Sequence, residues 1–238
     1  MFVNYAHRGA SSYYPENTLS AFAAGIEMGA NGFETDIHQT ADGILVLFHD
    51  DTLERVTDGI GRVTECTYDG LQQLNVINPA FERSDKILSF EDFLKAFGAL
   101  SLTFAIELKQ PHIEKEIIDM LNKYAMQPKT ILTSFDFDSL ARAKAYAPEY
   151  PVGLLFGKRD TYDPVKKLRS IGGEQLCPHA DLITAESVRR WHDMGFSVRA
   201  WGIKDEAVMR RVYDCGVDGM TVNFPDKLCD LMNNRQEG

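Results

Sequence analysis

Short apolar runs alternate with segments of helical periodicity along almost the whole chain. This alternation is typical of βαβ units and predicts a parallel sheet with helices between its strands. The predicted strands are Phe2–Ala6, Gly32–Ile37, Ile44–Phe48, Leu102–Leu108, Thr130–Thr133, Val152–Phe156, Gln175–Cys177, Ser197–Trp201 and Gly219–Thr221. The predicted helices are Thr18–Met28, Phe90–Ala96, Ile113–Tyr124, Phe137–Ala147, Asp163–Ile171, Ala185–Met194, Asp205–Tyr213 and Pro225–Met232.

The number of strands favours a closed barrel over an open sheet. Eight or nine strands with intervening helices in 238 residues match the ~250 residues typical of a TIM-type (β/α)8 barrel. The glycine-rich fingerprint of a dinucleotide-binding sheet is missing after the first strand. The alternation stops from about Asp51 to Lys86. We therefore predict a single barrel domain over residues 1–238, with a small insertion after the second strand region at approximately residues 51–101.

The composition limits the classes of partner. The formal net charge of −10 provides no basic surface for nucleic acid or anionic lipid. No apolar run approaches the ~20 residues of a membrane span, and the N-terminus lacks the pattern of a signal peptide. The cysteines form no C-x-x-C pair, which argues against a zinc cluster or a redox motif. We expect a soluble, cytoplasmic protein without nucleic-acid partner or stable membrane anchor; the sequence leaves its oligomeric state open, a homo-oligomer included.

Acidic side chains occupy alternate positions on two predicted strands. Glu34 and Asp36 share one strand face, and Glu107 shares a face with Lys109 on another strand. Carboxylates that converge at the mouth of a barrel repel one another unless a cation or a proton relieves them. Oxygen ligands favour Mg²⁺ or Ca²⁺ over zinc. The pattern predicts a site for a divalent cation; solvated strand ends, or an ion pair of Lys109 with Glu107 or Glu34, are the alternatives.

Two histidines end apolar strands, where the strands of a parallel barrel face the active site. His7 and His49 could act as acid and base on opposite sides of one phosphorus, since histidine transfers protons near neutral pH. Arg8 could clamp a phosphate through several donors, and Lys109 could meet a phosphate oxygen. A histidine that only caps a loop is the alternative for His7. Asp50 either orients His49 or caps a turn, and we favour the turn.

The other histidines are placed outside the inner site. His38 lies on the carboxylate face but one step nearer the loop, and His179 could border the site from a loop. His112 and His192 are interpreted as helix-associated or surface residues. None of the four is predicted to bind a metal or substrate directly.

These residues match the signatures of a known family. The matching stretches are His7-Arg8-Gly9-Ala10, Pro15-Glu16-Asn17-Thr18, Glu34-Thr35-Asp36-Ile37, Leu47-Phe48-His49-Asp50, the run from Asp51 to Gly59, and Ile106-Glu107-Leu108-Lys109. The chain resembles the glycerophosphodiester phosphodiesterase family over essentially its whole length. The resemblance implies a TIM-type barrel that hydrolyses glycerophosphodiesters to glycerol 3-phosphate and an alcohol, with a small-molecule phosphodiester as its partner.

The resemblance also assigns roles residue by residue. It implies Glu34, Asp36 and Glu107 as ligands of one Mg²⁺ or Ca²⁺, and His7 and His49 as general acid and base. Arg8 and Lys109 would bind the phosphate. Trp201 and Phe135 would line the substrate pocket, although both could equally be core residues. The stretches Trp201-Gly202-Ile203-Lys204 and Thr221-Val222-Asn223-Phe224 depart from the family pattern, which leaves the pocket shape and the preferred alcohol open.

Other functions remain compatible with the same barrel. A lysophospholipase D-like or sphingolipid head-group phosphodiesterase is the nearest alternative. A catalytically silent barrel that binds phosphodiesters is another, and an unrelated sugar-phosphate isomerase or aldolase is a third, since fold alone does not fix function.

Overall fold

The computed structural model describes residues 1–236. In chain order its strands are β1 (Val3–His7), β2 (Gly32–Gln39), β3 (Leu45–Leu47), β4 (Val76–Asn78), β5 (Arg83–Asp85), β6 (Thr103–Leu108), β7 (Thr130–Ser134), β8 (Val152–Phe156), β9 (Gln175–Pro178), β10 (Ser197–Ile203) and β11 (Gly219–Val222). Its helices are α1 (Leu19–Glu27), α2 (Tyr68–Gln73), α3 (Phe90–Phe97), α4 (Glu114–Lys123), α5 (Phe137–Tyr146), α6 (Pro164–Ser170), α7 (Ala185–Asp193), α8 (Glu206–Asp214) and α9 (Pro225–Gln236).

Eight parallel strands close into a barrel. The hydrogen-bonded order is β1-β11-β10-β9-β8-β7-β6-β2, and β1 pairs with β2 to complete the cycle. Helices follow the strands around the outside. The predicted TIM-type (β/α)8 barrel is therefore confirmed.

The predicted strand Ile44–Phe48 forms β3, but it lies outside the barrel cycle. It pairs antiparallel with β2, where Ile37 faces Leu47 and Gln39 faces Leu45. The pairing of β1 with β2 ends at Glu34, so β3 continues along the edge of β2 that β1 has left. The turn between them is tight because Gly43 adopts φ +84°, and the Thr40 hydroxyl accepts a hydrogen bond from the Ile44 amide (2.9 Å).

Local sequence explains where most helices begin. Seven of these helices start after a Thr, Ser or Asp whose side chain accepts a hydrogen bond from the first turn, which satisfies an otherwise unpaired amide. These capping residues are Thr18, Thr67, Ser89, Asp136, Asp163, Thr184 and Asp205. The caps therefore stabilise the first turns of these helices.

The segment between β3 and β6 contains two kinds of packing. The antiparallel β4–β5 pair and the residues around it form a small apolar cluster of their own, made of Val46, Phe48, Leu53, Val63, Leu71, Val76 and Ile87. Helix α3 instead packs on the main barrel core. The limits of 51–101 for the insertion stay a prediction. Across residues 1–236, none of the helices has the length and apolar character that crossing a lipid bilayer requires.

Aromatic packing between barrel and helices stabilises the side of the barrel next to the site. Phe93 on α3 contacts Phe22 at 4.8 Å, Phe97 at 5.5 Å and Phe104 at 5.9 Å between ring centroids. Phe33 on β2 lies 6.1 Å away in the same cluster. Tilted and edge-on contacts of this kind add to the free energy gained by burying the rings.

Phe93→Ala is expected to destabilise the protein by ~3–5 kcal/mol, because it leaves a cavity at a fully buried position. Urea unfolding followed by circular dichroism measures the loss. Leu100→Ala, at a position that is 39% exposed, is the control and should change the free energy of unfolding by ~0.5 kcal/mol or less. Equal effects of the two substitutions would contradict the packing argument.

Candidate active site

Three carboxylates converge at the carboxyl ends of neighbouring strands. Asp36 on β2 is the direct register partner of Glu107 on β6, and Glu34 lies two residues before Asp36. Ligand oxygens of the three residues lie within 4.8 Å of one another, and all three side chains are buried. The parity argument from the sequence therefore predicted the convergence of these residues correctly.

Hydrogen bonds compensate the burial of these acids only in part. Oε2 of Glu34 and Oδ1 of Asp36 are buried without a hydrogen-bond partner. Burial, followed by repulsion from Asp36, raises the pKa of Glu34 well above its usual range, and the same causes raise the pKa of Glu107. Burial also opposes ionisation of Asp36, but Arg8 and Lys109 outweigh it and lower its pKa. Hard oxygen donors with unpaired, repelling charges fit a divalent cation.

Glu34→Gln is expected to stabilise the metal-free protein, and the gain should grow as pH rises. The folded-state pKa of Glu34 lies above its ordinary value of 4.5, so the folded protein holds this proton more tightly than the unfolded chain. The tighter proton binding adds to the free energy of unfolding. This contribution is complete below the ordinary value of 4.5 and is lost as pH rises through the folded-state pKa, by at most ~1.4 kcal/mol per pH unit. Glutamine does not ionise and escapes this loss.

The measurement is thermal unfolding of both proteins in EDTA at a series of pH values that rises from the ordinary glutamate value of 4.5, because the linkage operates above that value. The difference in Tm between variant and parent should widen with pH. A constant difference, or a parent that is more stable than the variant at the upper end, would contradict the raised pKa.

Arg8 reaches the acidic cluster because the chain turns sharply after β1. Arg8 and Gly9 have positive φ values of +57° and +83°, and a Cβ at Gly9 would lie 2.5 Å from the Ala21 backbone. Only glycine fits such a position without strain. The turn places Nε of Arg8 3.2 Å from Oδ2 of Asp36, while Nη1 donates to Oε1 of Glu16 (2.8 Å).

Lys109 adopts the ion pair that the sequence left as an alternative. Its Nζ donates to Oε1 of Glu107 (2.9 Å) and lies 3.7 Å from Oδ1 of Asp36. Lys109 and Arg8 thus place two cations beside the acidic cluster, and the role of each in binding phosphate stays a prediction.

Sequence reasoning missed a second residue that fixes Asp36. Asn17 is buried, has φ +57°, and donates from Nδ2 to Oδ2 of Asp36 (3.0 Å). Its Oδ1 accepts a hydrogen bond from the Thr35 hydroxyl (2.8 Å). Asn tolerates the left-handed conformation better than most residues, which is the one signal in the sequence that could have indicated a special position.

Both predicted proton-transfer histidines face the cavity beside the carboxylates. His7 contacts Oδ1 of Asn223 through Nδ1 (2.5 Å), and its Nε2 lies 3.7 Å from Oε2 of Glu34. Burial and the adjacent Arg8 lower the pKa of His7 well below its usual range. A neutral imidazole at neutral pH is the form that can accept a proton.

His49 follows β3 and has an acidic partner. Its Nδ1 lies 2.5 Å from Oδ1 of Asp50, and the other carboxylate oxygen of Asp50 accepts from Nε of Arg55 (2.5 Å). The expectation that Asp50 caps a turn is therefore wrong. Its carboxylate turns toward the imidazole because the neighbouring arginine provides a second, charged partner.

The cavity has a volume of about 450 Å³ and joins these polar groups to an apolar wall. Trp201 on β10 donates from Nε1 to the carbonyl oxygens of Cys177 (3.0 Å) and Phe156 (3.2 Å). The Phe135 ring packs edge-on against Trp201 at 5.1 Å. Both line the cavity, and Phe135 is 45% exposed. Both residues therefore line the pocket, and neither belongs to the hydrophobic core, which was the other possibility.

Three of the remaining histidines lie at the cavity, in the interior and at the surface, respectively. His179 lines the cavity and packs edge-on against Trp201 at 4.6 Å. This contact depends on Gly202, where an added Cβ would lie 2.4 Å from Nε2 of His179. His38 is buried, and its Nε2 lies 3.4 Å from the backbone oxygen of His49. His192 pairs with Asp218 (2.8 Å) at the surface.

A buried arginine below the site was also missed. Arg199 on β10 is 1% exposed and borders the cavity. It donates from Nη1 to the Thr221 hydroxyl (2.6 Å) and from Nε to Oε1 of Gln175 (3.2 Å). Its cationic charge favours ionisation of Glu34. The available signal was strand parity, since Arg199 shares a strand face with Trp201.

Comparison with known proteins identifies the family of this chain. The model of the glycerophosphoryl diester phosphodiesterase family matches residues 7–227. A glycerophosphodiester phosphodiesterase of Caldanaerobacter subterraneus subsp. tengcongensis is 30% identical over 95% of this chain and 96% of its own length. The uncharacterized protein YqiK of Bacillus subtilis is 32% identical over 97% and 98%. The chain therefore belongs to the glycerophosphoryl diester phosphodiesterase family.

A solved structure extends the likeness to three dimensions. A phosphodiesterase of Oleispira antarctica, solved in complex with its product sn-glycerol-3-phosphate, superposes with a TM-score of 0.87 at 26% identity. The match covers 96% of each chain.

Proposed function

We propose that the protein is a divalent-metal-dependent phosphodiesterase that hydrolyses glycerophosphodiesters to glycerol 3-phosphate and an alcohol. The observation that carries this proposal is the meeting, in one cavity, of Glu34 and Glu107 from the acidic cluster with two histidines whose Nδ1 atoms are held by other residues. Membership of the family and the product complex of the Oleispira antarctica relative support it.

Glu34, Asp36 and Glu107 would hold one Mg²⁺ or Ca²⁺. Their two unpartnered oxygens and their short mutual distances fit such an ion. When bound, the ion supplies Lewis-acid stabilisation of a phosphate oxygen.

Arg8 and Lys109 would bind the phosphate of the substrate. Both are largely shielded from solvent, with side chains 13% and 15% exposed, and both lie at the acidic end of the site. A guanidinium presents a planar fork of donors to phosphate oxygens, and an ammonium presents a compact charge. Together they would stabilise the negative charge that shifts among the phosphate oxygens as the ester bond breaks.

His7 and His49 would transfer the protons. Asn223 holds Nδ1 of His7 and Asp50 holds Nδ1 of His49, which leaves Nε2 of each ring for the reaction. One ring accepts the proton of the attacking hydroxyl, and the other donates a proton to the departing alkoxide, so that no strong base is released into water. The nucleophile is either water, which gives glycerol 3-phosphate directly, or a glycerol hydroxyl, which expels the alcohol and forms a cyclic phosphate that water then hydrolyses to glycerol 3-phosphate.

Trp201 and Phe135 would contact the carbon skeleton of the substrate. Their rings form an apolar wall in a cavity that also carries charged side chains. Since the hydrogen bonds of Trp201 fix its ring, this wall is prepared before substrate binds.

Release of glycerol 3-phosphate from glycerophosphocholine tests the proposal. The assay is run in EDTA and then with added Mg²⁺ or Ca²⁺, alongside lysophosphatidylcholine and a sugar phosphate. Metal-dependent release from glycerophosphocholine supports the proposed reaction. Turnover of lysophosphatidylcholine alone would identify a lipid head-group phosphodiesterase, and no turnover by folded protein would identify a binding protein.

A further inference from the structure

Arg55 binds two carboxylates that come from separate parts of the chain. Its Nη1 and Nη2 donate to the two oxygens of Glu16, at 2.9 and 2.6 Å. Its Nε and Nη2 donate to the two oxygens of Asp50, at 2.5 and 3.1 Å. Glu16 lies between β1 and α1, whereas Asp50 follows β3. One guanidinium therefore joins two loops at the mouth of the barrel through paired hydrogen bonds, the strongest geometry available to an ion pair.

Each of these carboxylates also contacts a proposed active-site residue. Oε1 of Glu16 accepts from Nη1 of Arg8 (2.8 Å), and Oδ1 of Asp50 lies 2.5 Å from Nδ1 of His49. Arg55 itself does not line the cavity that is bordered by His7, His49, Glu34 and Glu107. Arg55 contacts the site only through these two acids. Through Glu16 it affects Arg8, which is proposed to bind the phosphate, and through Asp50 it affects His49, which is proposed to transfer a proton.

We propose that Arg55 is a positioning residue that fixes Arg8 and His49 relative to each other by clamping Glu16 and Asp50. This inference rests on the proposed function, because it concerns the geometry of the same reaction. Without the guanidinium, the carboxylates of Glu16 and Asp50 would have no common cation, and this bridge between the two loops would be lost. Displacements of about 1 Å in catalytic groups can cost ~10²-fold in rate.

The alternative is an ordinary surface ion pair. The Arg55 side chain is 47% exposed, and exposed ion pairs typically add little to stability because solvent screens them. The chain provides a matched control in Arg62, which also lies between β3 and α2, is 52% exposed, and pairs with Asp51 (3.4 Å). A structural role predicts similar, small effects of removing either arginine.

The first test compares rates of glycerol 3-phosphate release for Arg55→Met, Arg55→Lys and Arg62→Met at saturating metal. We expect Arg55→Met to lower kcat/KM by roughly 10–100-fold, and Arg62→Met to change it less than about twofold, as for substitutions away from such features. Arg55→Lys should resemble Arg55→Met, because one ammonium cannot bind both carboxylates in a bidentate manner. Full activity of Arg55→Lys, or equal losses at Arg55 and Arg62, would overturn the proposal.

The second test is a double-mutant cycle of Glu16→Gln and Asp50→Asn. With Arg55 present, either single substitution already breaks the bridge between the two loops. The fold-loss of kcat/KM in the double variant should therefore be smaller than the product of the two single fold-losses, by a factor of roughly three or more. In the Arg55→Met background the two losses should multiply. Independent losses with Arg55 present would overturn the clamp even if Arg55 proved important for stability.

A third readout does not depend on the substrate. With ¹⁵N-labelled histidine, the Nδ1 proton of His49 should give a hydrogen-bonded imidazole signal, assigned by its loss in His49→Ala. Arg55→Met should shift or remove this signal, while Arg62→Met should leave it in place. An unchanged signal in Arg55→Met would overturn the proposal. If the parent released no glycerol 3-phosphate but the signal responded as expected, the proposed reaction would fail and the clamp would stand.

Discussion

Replacing His49 by alanine is expected to lower kcat for glycerol 3-phosphate release by ~10²–10⁴-fold, the usual contribution of one proton-transfer group. His49 lines the cavity, and its Nδ1 is engaged by Asp50 (2.5 Å), so that Nε2 is the nitrogen left for the substrate. Alanine removes the proton carrier and leaves the carboxylates of the acidic cluster in place. The variant should therefore still bind the metal ion with near-parental affinity.

Steady-state kinetics with glycerophosphocholine and calorimetric titration of the metal ion measure the two parts of this expectation. His192→Ala is the matched control, because His192 lies on helix α7 and pairs with Asp218 at the surface. A His49→Ala variant that keeps the parental rate would remove His49 from the chemistry. A variant that loses metal binding together with activity would show that His49 acts through the acidic cluster instead.

Removing the metal ion is expected to have the larger effect. Lewis-acid stabilisation of a transferring phosphoryl group contributes several kcal/mol, and each ~1.4 kcal/mol is a factor of ten. EDTA should therefore lower the rate by at least ~10³-fold, and added Mg²⁺ or Ca²⁺ should restore it. Glu107→Gln should weaken metal binding and require a much higher metal concentration for any activity, since Glu107 is one of three acids in the cluster.

Metal titrations of the rate and of binding heat check this prediction. Glu91→Gln is the control, because Glu91 is an acid on α3 that pairs with Lys123 away from the site. A binding stoichiometry of one ion per chain, abolished or weakened only by Glu107→Gln, is expected. Full activity in EDTA would contradict the metal-dependent reaction. The raised pKa values of Glu34 and Glu107 would then indicate that protons, and not a metal ion, relieve the repulsion in the cluster.

The parts of the site that could be predicted are those that depend on short-range pattern. Strand parity alone brings Glu34 and Asp36 to one face, and register then places Asp36 opposite Glu107. The position of a histidine directly after an apolar run likewise predicts that it faces the cavity, as His7 and His49 do. These inferences need only the period of a strand and the rule that parallel strands end on the same side.

What could not be predicted depends on partners far apart in sequence. The run that forms β3 has the apolar pattern of a barrel strand, and pattern does not encode whether a strand pairs parallel or antiparallel. Arg199 is a charged residue that is tolerated inside the barrel because Gln175 and Thr221 accept its hydrogen bonds. Asp50 was assigned to a turn because Arg55, which draws its carboxylate toward His49, could not be connected to it from sequence.

The β2–β3 hairpin tolerates insertions and deletions less well than the loop that follows it. The pairing of Ile37 with Leu47 fixes how far His49 lies from the barrel axis. One residue added between Thr40 and Ile44 would slip that pairing and turn β3 side chains to the opposite face. The loop around Ile60, which is 85% exposed, is closed within the insertion by the Leu53 amide, which donates to the Gly61 carbonyl oxygen (3.0 Å), and not by pairing with a barrel strand. Insertions and deletions in related chains should therefore be rare in the turn before His49 and common in the loop that follows Arg55. The length of the β2–β3 turn should vary least, because it determines the position of His49.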